Sequence, residues 1–241
     1  MSDKKIIFRG FSEELLQFLS DLEKNNNIEW FHNNRSRYEK FFVEPARAYV
    51  TELAPFLNRF DPAIRTEPKF NQTIMRINKD MRFSKGVPYK TYLLVHFGRF
   101  KMDSEFFLYF EPQETQIGIF LNNSDEDQLY FNKNFSKYKN EIVKVFDEYK
   151  LNNKFSFYTM DKKPVPSIKK FNAEKHIDKL GKSKYILLQK VNPPKSKIFS
   201  DNLLPYSVQI FSSLYPLLCF AYSSNPMKEL DRYRENFGIM L

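Results

Sequence analysis

The sequence predicts an α+β fold, a central antiparallel meander sheet with flanking helices, in a single domain spanning residues 1–241. Three observations carry that prediction. Apolar residues recur at helical spacing near both ends of the chain, residues 73–121 read as successive strands joined by short turns, and no repeat, heptad run or flexible linker interrupts them. A hydrophobic fraction of 42% with 17% aromatics supplies an ample core.

The first helix is predicted over residues 12–24. Ser12 is placed as the N-cap, Glu13 and Glu14 suit the positive helix end, and Leu15, Phe18, Leu19 and Leu22 share one face. Asn25, Asn26 and Asn27 end it, because Asn competes with the helix backbone and tolerates left-handed geometry. A second helical region runs from Asn33 or Asn34 to about Phe60, with Pro45 as a kink or as the start of a separate helix. Residues 73–78 alternate in strand fashion. Further strands are expected over 89–98, 104–111 and 115–121, giving a meander of about four strands. A helix is expected from about Asp125 to Tyr149, with Asp125, Glu126 and Asp127 complementing its dipole. Beyond it the pattern gives a strand over 155–158, a short helix over 173–180, a strand over 184–191 and a helix over 203–222.

Composition excludes several classes. Six glycines leave little room for phosphate loops of the Gly-rich kind, and Cys219 alone precludes both an internal disulfide and a Cys-based zinc site. No Walker, Rossmann or nucleophile-elbow motif occurs. His32, His96 and His176 lack metal-ligand spacing, so no metal and no cofactor is expected. No signal peptide is expected after Met1, and no apolar stretch approaches the roughly 18 residues that span a bilayer. The expectation is a soluble cytoplasmic protein without a membrane partner. Its oligomeric state is left open.

The net charge of +9 is uneven. Residues 69–101 carry eight Lys and Arg against Asp80, and residues 161–200 carry eleven Lys against three acids. Residues 102–149 carry ten acids against four Lys. Such blocks can steer an anionic partner, or can dock on one another. The run from Lys162 to Phe171 reads as an extended loop, either solvated or tracking a phosphate backbone with Phe171 stacked on a base.

The densest chemistry lies between Arg76 and Thr91, which hold five cations, the Ser84 and Thr91 hydroxyls, Asp80 and a Gly86-Val87-Pro88 turn. If 73–78 pairs with 89–98, this becomes a long hairpin loop in which Arg76 and Asn78 share a face. Arg forks, Lys ammoniums and hydroxyls are what phosphate recognition uses. The candidate ligand-binding set is Arg35, Arg76, Asp80, Arg82, Ser84, Lys85, Tyr89, Lys90 and Thr91, with Asp80 holding Arg82, Phe83 anchoring the loop and Tyr89 walling the pocket. Trp30 and Phe31 read as core at a helix corner. The alternative is an Arg–Asp network that only staples the loop.

The residues Asn25-Asn26, Trp30-Phe31, Arg35, Tyr38 and Glu44-Pro45, then Arg76 to Lys85 and Pro88 to Thr91, resemble a family of conserved hypothetical proteins catalogued as domain of unknown function twenty-four sixty-one. The resemblance is strongest over residues 8–120, and Lys169-Lys170-Phe171-Asn172 with His176 resembles its second, basic motif. It implies an α+β domain of this length and no particular activity. Three functions stay open: a module binding a phosphate-bearing ligand or nucleic acid, an enzyme acting on a phosphorylated or carboxylated substrate with Asp80 or His96 as base, and a structural or protein-interaction role.

Overall fold

A computed structural model describes residues 7–82 and 86–238. Among them the chain forms α1 (Glu14–Lys24), α2 (Ile28–Asn33), α3 (Arg35–Tyr38), a π-helical segment (Glu39–Val43) and α4 (Glu44–Phe60). Strands β1 (Leu93–Phe97), β2 (Glu105–Phe110) and β3 (Thr115–Asn122) follow, then α5 (Phe131–Glu148), β4 (Ser156–Thr159), α6 (Ala173–Lys182) and β5 (Tyr185–Val191). The chain closes with α7 (Lys195–Ile198), α8 (Leu203–Tyr222) and α9 (Pro226–Phe237). The five strands make one sheet in the order β1-β2-β3-β5-β4. The expected α+β class, an antiparallel sheet with helices, is what the chain adopts.

Contacts group the chain into two compact units. One comprises the described parts of Met1–Phe97, Leu108–Gln116 and Asn192–Ser207; the other comprises Gly98–Phe107, Ile117–Val191 and the described part of Val208–Leu241.

The first unit is held by aromatic packing. Phe11 lies 4.7 Å from Phe110 and 6.0 Å from Tyr49, whose hydroxyl donates to Ser207 at 2.7 Å. Leu15, Phe18, Leu19 and Leu22 are fully buried, which is why the predicted stripe makes α1. Ser12 is not the capping residue, however. It stands one position earlier, where its Oγ accepts from the Glu14 N–H. Pro45 lies at the start of α4, immediately after the π segment that continues into it, where the widened π turn accommodates the missing N–H. The π segment ahead of it was not expected.

Residues 73–78 correct the sequence reading. They form no regular strand, only isolated bridges of Ile74 with Val95 and Asn78 with Tyr89. The predicted partner is nonetheless right. His96 donates to the Thr73 carbonyl at 2.9 Å, Met75 to Leu94 at 3.0 Å, and Lys90 to Ile77 at 2.7 Å.

In the second unit Phe106 stacks on Phe211 with centroids 4.6 Å apart, and Phe171 packs against Phe146 and Phe157. Phe171 is only 1% exposed, which rules out the base-stacking alternative for the 162–171 run. Ile168 pairs with Phe157 through two backbone hydrogen bonds of 2.8 and 3.0 Å, which covers the free edge of β4. A Cβ at Gly118 would sit 2.1 Å from the Leu188 carbonyl, so the β3–β5 approach requires glycine there. Asp103 is fully buried and takes a 2.8 Å bond from Arg99 Nε, while Arg99 lies 3.9 Å over the Tyr222 ring. α5 begins at Phe131, after the acidic triplet rather than on it. α8 corrects the membrane expectation by composition. It is long and apolar enough to cross a bilayer, yet 67% of that window is buried inside the protein. α2, α7 and α9 were not predicted.

Candidate anion-binding pocket

The site is built from three pieces of the first unit. α1 ends at Asn25, and Asn26 then reaches across sixty-three positions to Tyr89. Its Oδ1 accepts from the Tyr89 N–H and its Nδ2 donates to the Tyr89 carbonyl, both at 3.0 Å. This side-chain amide imitates a neighbouring strand and fixes the irregular bridge. Asn27 caps α2 by accepting from the Trp30 N–H at 2.9 Å. α2 then lays Phe31 flat on the Tyr89 ring, with centroids 4.1 Å apart and planes at 19°. Tyr38 closes this wall, 5.1 Å from Phe31 and 5.0 Å from Phe42.

Against that wall lies a concavity of about 560 Å³. α2 and α3 supply Ile28, Phe31, His32, Arg35 and Tyr38, the π segment Glu39, and α4 Arg47. Phe70, Arg76, Ile77, Asn78 and Tyr89 complete it. Arg76, Ile77 and Asn78 all line the hollow, so the strand alternation expected for 73–78 is not what brings Arg76 and Asn78 to it. The π segment matters because it re-phases the helix, letting Arg35 and Arg47 line one hollow from either side of it.

Each guanidinium is lightly held. With the Asn71 amide oriented so that its oxygen faces Arg76, that oxygen accepts from Nε at 3.0 Å and Nη2 at 3.2 Å. Asn71 adopts φ +63°, a left-handed backbone that Asn tolerates. This bond orients the Arg76 fork without neutralising it. Arg35 meets the Glu39 carboxylate at 3.4 Å, with side chains 65% and 42% exposed, a weak pair in water. Arg47 rests 5.8 Å over the Phe70 ring. Burial pushes the Tyr38 phenol well above its ordinary value and Glu39 adds to this, while Arg35 and Arg47 oppose it. Tyr38 therefore stays a neutral O–H beside the cations. Three guanidiniums, a phenol and ring walls can bind an anion attached to an apolar body.

The predicted residues divide. Arg35, Arg76 and Tyr89 line the concavity. Asp80 and Arg82 pair with each other instead, through Nη2 to Oδ2 at 2.7 Å and Nε to Oδ1 at 3.0 Å. These bonds hold the Asp80 carboxyl below its ordinary range. Lys90 donates from Nζ to the Arg76 carbonyl at 2.8 Å, and burial, with Lys79 second, draws its ammonium below the usual value. Thr91 is half-buried and not among the lining residues. Ser84 and Lys85, with Phe83, lie outside the described residues. Neither Asp80 nor His96, the two proposed bases, lines the hollow.

Sequence reading missed Arg47, His32, Phe70 and Glu39. Glu39 had a signal, standing four residues after Arg35. Arg47 and Phe70 had none, because only tertiary folding brings them there. Among the described residues, no cluster of three or more His, Cys, Asp or Glu is arranged to hold a metal ion.

No curated protein matches the chain. A family model described as "Conserved hypothetical protein (DUF2461)" matches residues 14–220, a span that contains every lining residue of the hollow. Both halves of the motif that suggested this resemblance, the Asn25–Pro45 stretch and the Arg76–Thr91 stretch, meet at the Asn26–Tyr89 clamp, and the chain belongs to the DUF2461 family of conserved hypothetical proteins.

Proposed function

We propose that the protein binds a small phosphate-bearing molecule in the hollow lined by Arg35, Arg47 and Arg76. The observation that carries this reading is that Arg35, Arg47 and Arg76 all line one concave, water-reachable space in which Glu39 is the single lining carboxylate. Its volume falls within the range of small-molecule sites, and a concave site of this size suits a discrete ligand better than a nucleic-acid strand. The exposed Asp80–Arg82 pair does not line the hollow.

Trp30 reports on the site without labelling, since it lies between Ile28 and His32 in α2 and is the only Trp in the chain. Titration with inorganic phosphate at low ionic strength should give a saturable change in its fluorescence, and Arg76→Ala or Arg47→Ala should weaken it about tenfold each, the worth of a charge-assisted hydrogen bond. Arg82→Ala should leave it unchanged. A single-stranded oligonucleotide that binds equally well to wild type and to Arg76→Ala, with no response to phosphate, would reject the pocket reading.

A further inference from the structure

The charge and the walls of the hollow say more about its ligand than that it is an anion. Arg35, Arg47 and Arg76 face one carboxylate, Glu39, leaving a surplus of two positive charges. A carboxylate would neutralise half of that surplus. A phosphomonoester carries about −1.5 to −2 at pH 7 and matches it.

The space is also far too large for the phosphate group alone. At roughly 30 Å³ per water, a tetrahedral ion displaces a few water molecules out of a hollow of about 560 Å³. His32 and Asn78 share the remainder with Ile28, Phe31, Phe70, Ile77 and Tyr89; Phe31, Ile77 and Tyr89 are buried, so Ile28 and Phe70 present its accessible apolar surface. Ile28 is 71% exposed, the highest value among the exposed large hydrophobic side chains, although it stands on a well-formed helix at the rim. The buried part of this wall already stacks ring on ring, Phe31 against Tyr89 at 4.1 Å. Phe70 presents a half-buried ring with Arg47 above it. An apolar rim beside a cationic patch fits a ligand with both characters, and covering Ile28 and Phe70 would remove apolar surface from water.

We infer that the ligand is a phosphomonoester of an aromatic alcohol, with its phosphate among Arg35, Arg47 and Arg76 and its ring against Ile28 and Phe70. This rests on the anion-binding reading above and adds the class of ligand. Phosphate oxygens accept from the guanidinium forks and the Tyr38 hydroxyl, and the ring fills the apolar end. Because recognition is of the dianion, affinity rises as the ligand loses its second proton near pH 6.

The test is calorimetric titration of the full chain with phenyl phosphate, inorganic phosphate and benzoate at low ionic strength. Phenyl phosphate should bind about tenfold more tightly than either of the others, since it alone offers both the dianion and the ring. Ile28→Ala, at an exposed position that leaves folding intact, should weaken phenyl phosphate severalfold and leave inorganic phosphate unchanged. Phe70→Ala, which also removes the ring beneath Arg47, should weaken phenyl phosphate more than inorganic phosphate, with circular dichroism confirming its fold. Arg76→Ala should weaken both phosphates. Equal, Arg76-dependent binding of phenyl phosphate and inorganic phosphate would overturn the aromatic inference while leaving anion binding standing. Benzoate binding as tightly as phenyl phosphate would overturn the phosphomonoester assignment. Failure of every probe, or indifference to Arg76→Ala, would remove the anion-binding reading itself.

Discussion

Asn26 shows how one side chain can substitute for a strand. The segment 73–78 is too irregular to hold Tyr89 by ladder bonds alone, and the Asn26 amide takes both of its backbone groups at 3.0 Å. Asn26→Ala leaves a part-buried N–H and C=O unpaired, so it should cost about 2 kcal/mol in urea denaturation and loosen the Tyr89 wall. Asn26→Asp, which can accept but not donate, should recover only part of that. Asp21 gives a pH-dependent counterpart. Burial opposes its ionisation, but hydrogen bonds from Arg37 and Gln17 outweigh burial and hold the carboxyl below its ordinary range. A depressed carboxyl contributes stability that is present above the unfolded pKa of about 3.9 and is lost as pH falls through the folded value. The stability difference between wild type and Asp21→Asn should therefore be seen at pH 6 and shrink towards pH 3, as measured by thermal melts.

What could be foreseen follows the range of the forces involved. Arg76 and Tyr89 were legible because the cation-rich run and its turn signal act over a few residues. The Asp80–Arg82 pair was legible for the same reason, though it lies outside the hollow. Arg47 was invisible because its place depends on the π-helical Glu39–Val43, whose extra residue carries no compositional mark. α2 was hidden by its length of six residues, too short for a full apolar stripe, and its Asn27 cap sat within a run of asparagines that reads as a helix stop. Each residue added to or removed from a helix turns what precedes it by about 100°. Deleting Lys40, an exposed residue within the π segment, should return the run to regular α-helix with Arg35 and Arg47 eleven positions apart on one face, whereas inserting a further Ala after Lys40 should rotate Arg35 and Tyr38 away from Arg47. Far-UV circular dichroism should keep its helical signal in both, while phosphate-induced quenching of Trp30 should survive the deletion and disappear with the insertion.

For the chain as a whole, the charge pattern allowed an anionic partner or basic faces docked on the acidic block, and pointed to no site. The arginines of the hollow lie at positions 35, 47 and 76, and only the last falls within the basic block of 69–101. The lysine-rich stretch 161–200 offers no stacking ring at Phe171, which is buried. On the proposed reading, net charge adds attraction at a distance and the concave geometry selects the ligand. A ligand bound only by the folded state raises the melting temperature in proportion to the logarithm of its concentration over Kd. Phenyl phosphate at about one hundred times its Kd should stabilise wild type by about 2.7 kcal/mol and Arg76→Ala by measurably less.

The most direct measurement is anomalous diffraction from crystals grown with 4-bromophenyl phosphate. The account predicts a bromine peak against Ile28 and Phe70, with the phosphate in contact with Arg35, Arg47 and Arg76. A bromine peak elsewhere on the protein, with the three guanidiniums bound to nothing but solvent, would contradict it.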